Sequence, residues 1–198
     1  MSRRNGIPVA LLAGTLALSG CGHSPQTHLL TLDLVPPVSP PADYSAPPVR
    51  VTAVRIPAAL DRLEFVQAVA PGELQIRDQY RWSASIGELA REALMRDLSA
   101  RLPNGSVLPL DTPAVKGSRH ADVAILALTA APEQTTMDAI VTVAVDGSDR
   151  IVRRHVTLTQ KHATNALPER IASDYGMLLG KVADEIVFIV QLMQAGKM

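Results

Sequence analysis

Apolar residues recur with helical spacing near the C-terminal end of the chain. Seven of them step by three or four positions: Ile171, Tyr175, Leu178, Val182, Ile186, Ile189 and Met193. Residues three and four apart share one face of an α-helix, so this spacing predicts a long amphipathic helix from about Pro168 to Gln194. The apolar stripe is broad, which leaves two uses open. It serves either core burial or contact of its C-terminal part with a partner.

A shorter helix is predicted to begin after Ser85. Ser85 and Glu88 have the spacing of a capping box, in which each side chain bonds the backbone of the other residue. Apolar residues then recur every four positions from Ile86 to Leu102, and Pro103 follows. The pattern predicts a second amphipathic helix whose charged residues are directed to solvent: Arg91, Glu92, Arg96 and Arg101.

Alternating apolar and polar residues predict strands in the rest of the chain. The predicted strands are 49–56, 63–69, 73–76, 122–130, 137–145 and 150–160, and a short first strand could form within 29–34. Pro71-Gly72 and the segment from Asp146 to Asp149 are turn sequences, so the strands around each turn should form antiparallel hairpins.

The last strand should have one polar face. Apolar residues at Val152, Val156 and Leu158 alternate with polar ones at the positions between them, and Arg154 breaks the alternation. Antiparallel sheets commonly leave one face in water. We therefore predict an α+β fold: a mostly antiparallel or mixed sheet with the two main amphipathic helices packed on one face.

The first twenty residues have the three-part layout of a secretory signal. Arg3 and Arg4 precede an uncharged apolar run from Ile7 to Leu18, and the small residues Ser19 and Gly20 follow. The apolar run is shorter than the roughly 20 residues that a membrane-spanning helix needs. Residues 1–20 are thus predicted to be a signal peptide.

Cys21 is the only cysteine in the chain, and it comes directly after that signal. The sequence Leu18-Ser19-Gly20-Cys21 resembles a bacterial lipobox, in which the cysteine sulfur is diacylated and the preceding peptide is removed. We predict lipid attachment at Cys21, because two acyl chains anchor a protein stably. By the same resemblance, Gly22 rather than Asp after the cysteine favours delivery to the outer membrane.

A proline-rich segment separates the lipidated N-terminus from the main domain. Six of the fourteen residues from 35 to 48 are proline, which favours extended, semi-rigid chain. Two interpretations stay open here: a recognition ligand, or a tether that connects a first strand to the domain. We assign residues 21–48 to this lipidated region and residues 49–198 to a single globular domain.

Composition excludes several classes of protein. The chain has 19 basic and 19 acidic residues, and removal of Arg3 and Arg4 leaves 17 against 19, a net charge near −2. The chain has no excess of basic residues, so its composition gives no indication that it binds nucleic acid. A single cysteine allows no internal disulfide, so the 47% of hydrophobic residues must supply the stability.

Signs of catalysis are missing from the sequence. His155 and His162 are seven positions apart, which puts them on opposite faces of a regular strand, so no shared metal site is expected. No G-x-S-x-G elbow or phosphate-binding glycine loop occurs. We predict neither a metal nor a cofactor, and no enzymatic activity. If the chain were a hydrolase instead, turnover of ester or glycan substrates would reveal it.

One segment carries a family resemblance. It runs from Gln79 to Ile86, QYRWSASI, and the capped helix that ends in Arg101-Leu102-Pro103 follows it. This combination resembles the signature of the PqiC family of ABC-type transport auxiliary lipoproteins. The sequence Ala59-Leu60-Asp61-Arg62 is similar to the step that follows the family's first domain strand. The lipobox, the proline-rich segment and the long C-terminal helix also fit.

The resemblance implies a non-enzymatic accessory role. Lipoproteins of this family work with MCE-domain proteins and an ABC permease and ATPase that move lipids between two membranes. The chain would then be a periplasm-facing subunit, tethered at the outer membrane. A homo-oligomer is compatible with the sequence, but no periodic feature requires one. A structural or chaperone-like lipoprotein for envelope assembly, without a transport role, is the alternative.

Tyr80, Arg81 and Trp82 allow two interpretations. In the first, Trp82 packs over the start of the shorter helix and Arg81 is solvated. In the second, the three residues contact a partner or a lipid headgroup, because Tyr, Trp and Arg are enriched at binding hot spots.

Overall fold

The structure is a computed structural model that describes residues 26–37, 43–109, 111–113 and 115–196. The predicted signal peptide, Cys21 and Gly22 lie outside the described residues. The elements in chain order are β1 (His28–Leu30), β2 (Val49–Arg55), β3 (Glu64–Ala70), β4 (Glu73–Trp82), α1 (Ile86–Arg101), β5 (Arg119–Ala131), β6 (Gln134–Val145), β7 (Ile151–Lys161) and α2 (Pro168–Gln194).

The strands form one seven-stranded mixed sheet around β5. Along one edge β5 pairs with β6 over its whole length, and β6 pairs with β7, both antiparallel. Along its other edge β5 pairs in parallel with β2 in its first half and with β3 near its end. The hairpin partner β4 lies beyond β3, and β1 adds to β4 in parallel.

Both helices cover one face of this sheet. Ala121 and Val123 of β5 and Val141 and Val143 of β6 are fully buried beneath them, because alternate residues of a strand point to the same side. The other face, the helix-free face, carries the exposed residues of β7 such as His155. The predicted α+β fold, with a mixed sheet and two main helices on one face, is confirmed.

The helices begin and end close to the predicted positions. The side chain of Ser85 accepts a hydrogen bond from the backbone N–H of Glu88 at 3.3 Å, so the capping sequence starts α1 as expected. The helix α2 buries its stripe along its full length, and Ile186, Ile189 and Met193 near its end are all buried. Of the two uses left open for that stripe, core burial is the observed one.

Arg154 breaks the alternation of β7 for a structural reason. It lies opposite the buried Val141 and therefore points to the helix side of the sheet. There its guanidinium pairs with Glu185 at 2.9 Å and lies over the ring of Phe188 at 5.3 Å. The charge sits at the rim of α2 rather than in the core.

Four strands differ from the sequence prediction, and β5 and β6 each begin three residues earlier than expected. The strand β4 continues past Ile76 to Trp82, and β1 ends at Leu30 instead of extending toward Leu34. Residues 77–82 show no apolar alternation, so their strand conformation depends on pairing with β1, fifty positions earlier in the chain. Such non-local pairing leaves no periodic signal in the sequence.

Candidate functional site

The start of β1 limits how far a lipid attached to Cys21 can lie from the domain. Strand β1 begins at His28, seven residues after Cys21. An extended chain spans at most about 3.6 Å per residue, so the Cα of Cys21 lies within about 25 Å of the Cα of His28. Any anchor on Cys21 is therefore confined to the surroundings of β1.

Several turns and helix ends lie near β1 at one end of the domain, and we call this end the anchor end. It contains His28, the hairpin turn at Pro71-Gly72, the β5–β6 turn at Pro132-Glu133 and the N-terminus of α2 at Pro168. The His28 ring nitrogen lies 3.9 Å from the Glu169 carboxylate in the first turn of α2. Because α2 is about 40 Å long at 1.5 Å per residue, the opposite end of the domain is remote from this point.

The predicted contact residues Tyr80, Arg81 and Trp82 pair with β1 and so lie at the anchor end. Trp82 is 3% exposed, and its ring packs at 5.4 Å from Phe65 and at 6.3 Å from Tyr175 of α2. Its side chain is thus part of the core, where the three aromatic rings join the sheet to α2.

Tyr80 and Arg81 reach the surface. The Tyr80 ring stacks on His28 at 5.0 Å, and Arg81 is exposed on the helix-free face opposite Leu29. Partial desolvation, followed by the Glu169 carboxylate, raises the pKa of the Tyr80 hydroxyl. Contact of Tyr80 and Arg81 with a partner or a headgroup stays a prediction. The next residue, Trp82, supports this end of β4 from the core.

The segment after β1 lies across both helices, and we call residues 31–37 and 43–47 the strap. Arg96 of α1 donates a hydrogen bond to the Leu32 carbonyl. The Asp97 carboxylate accepts one from the Val35 N–H at 2.8 Å, and Arg101 donates one to the Val35 carbonyl at 3.0 Å. Three side chains of α1 therefore hold the backbone of the strap.

Two glycines of α2 let the strap approach closely. A Cβ added at Gly180 would lie 2.8 Å from the Val35 Cβ, and one at Gly176 would lie 3.5 Å from the Asp33 carbonyl oxygen. These glycines are four positions apart, so they share one face of the helix. Sequence reasoning missed this contact, although the Gly176–Gly180 spacing inside a predicted helix was the available signal.

The strap ends at the far end of α2. The Ser45 and Ala46 N–H groups both donate to the Gln194 side chain, at 3.1 and 3.2 Å. Tyr44 is 5% exposed, and the Arg119 guanidinium lies 5.6 Å from its ring centre. The proline-rich region therefore follows α2 from Gly176 to Gln194 in the residues described, and it connects β1 to β2 along the domain surface.

A buried ion cluster lies under the strap, so the prediction that Arg101 faces solvent is wrong: the strap covers it and accepts its hydrogen bond. Asp97 is fully buried, and Arg101, at 4% exposure, pairs with Asp184 at 2.6 Å and lies 3.8 Å from the Asp97 carboxylate. Desolvation raises the pKa of Asp97, against the opposing effects of the Val35 N–H and Arg101. The close partner of Arg101 is Asp184, which leaves Asp97 without a strong counterion.

A small polar cleft opens at the anchor end on the helix side. Its volume is about 180 Å³, below the usual size of a cavity for a drug-sized ligand. Three buried polar atoms of its lining have no hydrogen-bond partner within the described part of the chain: Gln67 Oε1, Arg77 Nε and His162 Nε2. The cleft can hold small hydrogen-bonding groups.

The histidines of the described chain lie beside separate carboxylates. His155 bonds Asp138 at 2.6 Å on the helix-free face, whereas His162 lies 3.9 Å from Asp174 of α2. Among the described residues, no three His, Cys, Asp or Glu side chains are grouped so that they could hold a metal ion. In the same residues, no helix is both long and apolar enough to cross a bilayer.

A family model matches residues 29–187, which is most of the chain; its description is an ABC-type transport auxiliary lipoprotein component. The match begins inside β1 and ends near the C-terminal part of α2, so it includes both the strap and the helices that hold it. A search of curated proteins finds no match.

Two solved structures share the fold. One is a crystal structure of an uncharacterised protein with a TM-score of 0.64 and 16% identity, covering 81% of this chain and 99% of that one. The other is a Xanthomonas campestris protein of the DUF330 family, with a TM-score of 0.63 and 14% identity, covering 86% and 99%. At such identities the likeness is one of fold.

Proposed function

The chain belongs to the PqiC-like family of ABC-type transport auxiliary lipoprotein components, and from this premise we propose that it is the non-catalytic, periplasm-facing subunit of an MCE-type lipid transport system. In this role it is anchored through acyl chains on Cys21, at the outer membrane. It receives or stabilises the outer end of a lipid conduit built by an MCE-domain protein, an ABC permease and an ATPase.

The observation that carries the proposal is the short connection between the predicted anchor and the sheet. Only six residues separate Cys21 from His28, and the chain after β1 is fixed to α1 and α2 by the strap contacts. The anchor therefore restricts the whole domain to a thin layer at the membrane. Such restriction raises its effective concentration for a partner in that layer, so modest affinity is sufficient.

Two polar groups of the described chain, at Asp138 and Arg101, fit a scaffold role better than a catalytic one. Asp138 of the helix-free face is engaged by His155 at 2.6 Å and by Thr157 at 3.1 Å. The buried Arg101 is engaged by Asp184 and by the Val35 and Asp97 carbonyls. Both groups support strand pairing or strap docking.

Tyr80 and Arg81 gain a specific role in this proposal. Because β4 pairs with β1, both side chains lie on the membrane side of an anchored domain. Of the two ligands that the sequence suggests for them, a lipid headgroup fits this location better, since a guanidinium binds phosphate well. The proposed contact is between Arg81 and headgroup phosphates.

The experiment is purification of the full-length chain, tagged at its C-terminus, from native membranes after mild crosslinking. We expect an MCE-domain protein and the permease to co-purify, and to be strongly reduced with the Cys21→Ala variant, which cannot be acylated. Co-purification of envelope-assembly factors without any transport subunit would refute the proposal and favour the structural or chaperone-like alternative.

A further inference from the structure

An apolar patch covers the helix-free face at the anchor end. It consists of Leu29, Val66, Ala68, Leu74, Ile76 and Leu126, and we call it the anchor-end patch. Four of these side chains are large and exposed: Leu29 at 70%, Leu74 at 50%, Ile76 at 49% and Leu126 at 49%.

The strand register places the hairpin residues of the patch side by side, and Leu29 borders them opposite Arg81, five positions after Ile76 on β4. Ile76 lies opposite Val66, and Leu74 lies opposite Ala68, so all four point to the same face of the hairpin. Ala68 in turn pairs with Thr129 of β5, which brings the hairpin beside the bulge in β5. At that bulge Leu126 leaves the core and becomes exposed on the helix-free face.

Toward β7 the helix-free face is mainly polar, with the half-buried Ile140 and the exposed Ile151 as exceptions. On β6 and β7 the corresponding positions are Asp138, His155, Thr157 and Thr159, which are exposed or half-buried and partly bonded to one another. The face is thus divided along β5 into an apolar part beside β1 and a polar part beside β7. A contiguous apolar surface of this kind marks a site of contact with a partner or a membrane.

The reach of the N-terminal chain identifies what covers the patch. Leu29 belongs to the patch and follows Cys21 by eight residues, so it lies within about 29 Å of an acylated cysteine. An acylated Cys21 sits in the headgroup region of the bilayer, which brings the anchor end to the lipid surface. No other described part of the helix-free face is so close to the anchor along the chain.

We propose that the anchor-end patch lies against the lipid interface of the membrane that holds Cys21, with Leu74 and Ile76 inserted among the headgroups. The inference rests on the proposed acylation of Cys21. Charges around the patch are mixed, with Glu64 opposite Arg81 and Glu73 at the hairpin turn. The insertion of Leu74 and Ile76 is therefore an apolar contact that should change little with salt, unlike the proposed contact of Arg81 with phosphate.

The test uses the acylated full-length chain in vesicles of phosphatidylethanolamine and phosphatidylglycerol that contain a doxyl-labelled quencher lipid. Acylation leaves the Cys21 sulfur unreactive, so a cysteine introduced by Ile76→Cys is the one free thiol for an environment-sensitive fluorophore. The matched control is Ile151→Cys, since Ile151 is 60% exposed on the helix-free face at the other end.

We expect several-fold stronger lipid quenching and a blue-shifted emission at position 76 compared with position 151, in low and high salt alike. With the reporter moved to Leu126→Cys, the added change Ile76→Asp should reduce quenching, and Ile151→Asp should not. Equal quenching at both ends, or quenching at position 76 only after a protein partner is added, would overturn the inference.

Mass spectrometry of the same sample separates the two possible failures. If Cys21 carries no acyl chain, the proposed function fails together with the inference. If Cys21 is acylated and position 76 is not quenched, the anchor stands, and only the orientation of the patch is refuted.

Discussion

At the scale of single residues, the sequence singled out Tyr80, Arg81 and Trp82, but it did not separate the buried residue from the exposed ones. Trp82 is in the core between Phe65 and Tyr175, whereas Arg81 is exposed. The alternation of a strand separates neighbours in this way, yet the extension of β4 through these residues was not visible in their composition.

Trp82→Ala should therefore destabilise the fold, because it removes the largest ring of the aromatic contact between sheet and α2. We expect a loss of about 3–5 kcal/mol in the free energy of unfolding, measured by denaturant titration. The matched control Arg81→Ala should stay within about 0.5 kcal/mol of the unmodified chain. If Trp82→Ala melted normally and lost only binding, the residue would be a contact instead of a core member.

Asp97 makes stability depend on pH in an unusual direction. Its pKa is raised in the folded state, so the folded chain binds a proton more readily than the unfolded one between pH 3.8 and the raised value. Stability from this site therefore increases as the pH falls through that interval and is lost as the pH rises.

The variant Asp97→Asn isolates this effect, because it keeps an acceptor for the Val35 N–H and cannot ionise. We expect the stability of the unmodified chain, relative to Asp97→Asn, to increase from pH 7 toward pH 4 in parallel urea titrations. A relative decrease over the same range would mean that Arg101 lowers the pKa of Asp97 below its ordinary value.

At the scale of elements, periodic patterns predicted both helices, and turn sequences predicted the β3–β4 and β6–β7 neighbours. Those elements bury one face each, and burial imposes a repeat on the sequence. The strap could not be predicted in this way, because side chains of Asp97 and Arg101 bind its backbone carbonyl and N–H groups, which every residue has. In the sequence, only the pair Gly176 and Gly180 indicates that the strap approaches α2 closely.

The strap–helix contact predicts opposite effects for two similar substitutions in α2. Gly180→Ala places a methyl group 2.8 Å from the Val35 Cβ, and the overpacking should exceed the gain of about 1 kcal/mol from better helix propensity. Gly176→Ala meets only an ordinary contact at 3.5 Å, so it should be neutral or stabilising by up to about 1 kcal/mol.

Calorimetric or denaturant unfolding of both variants checks this prediction. The change Val35→Ala in the Gly180→Ala background should recover part of the loss, since it removes the clashing atoms beyond Cβ. A Gly180→Ala variant that is more stable than the unmodified chain would show that the strap does not rest on α2.

At the scale of the whole molecule, family membership and topology together explain why the chain has this form. The two helices pack on the sheet, the strap contacts α1 and the end of α2, and β1 brings the predicted anchor to one end. The signal and the lipobox are predictions that the sequence allows because they are local motifs, and the family match supports a transport lipoprotein. The anchor-end patch required the register of four strands, which no local pattern encodes.

Intact-mass spectrometry of the mature protein from native membranes tests the anchoring on which this role depends. We expect a chain that begins at Cys21 and carries the added mass of its acyl groups on that residue. A polypeptide that retains residues 1–20 and a free thiol at Cys21 would contradict both the envelope location and the transport role.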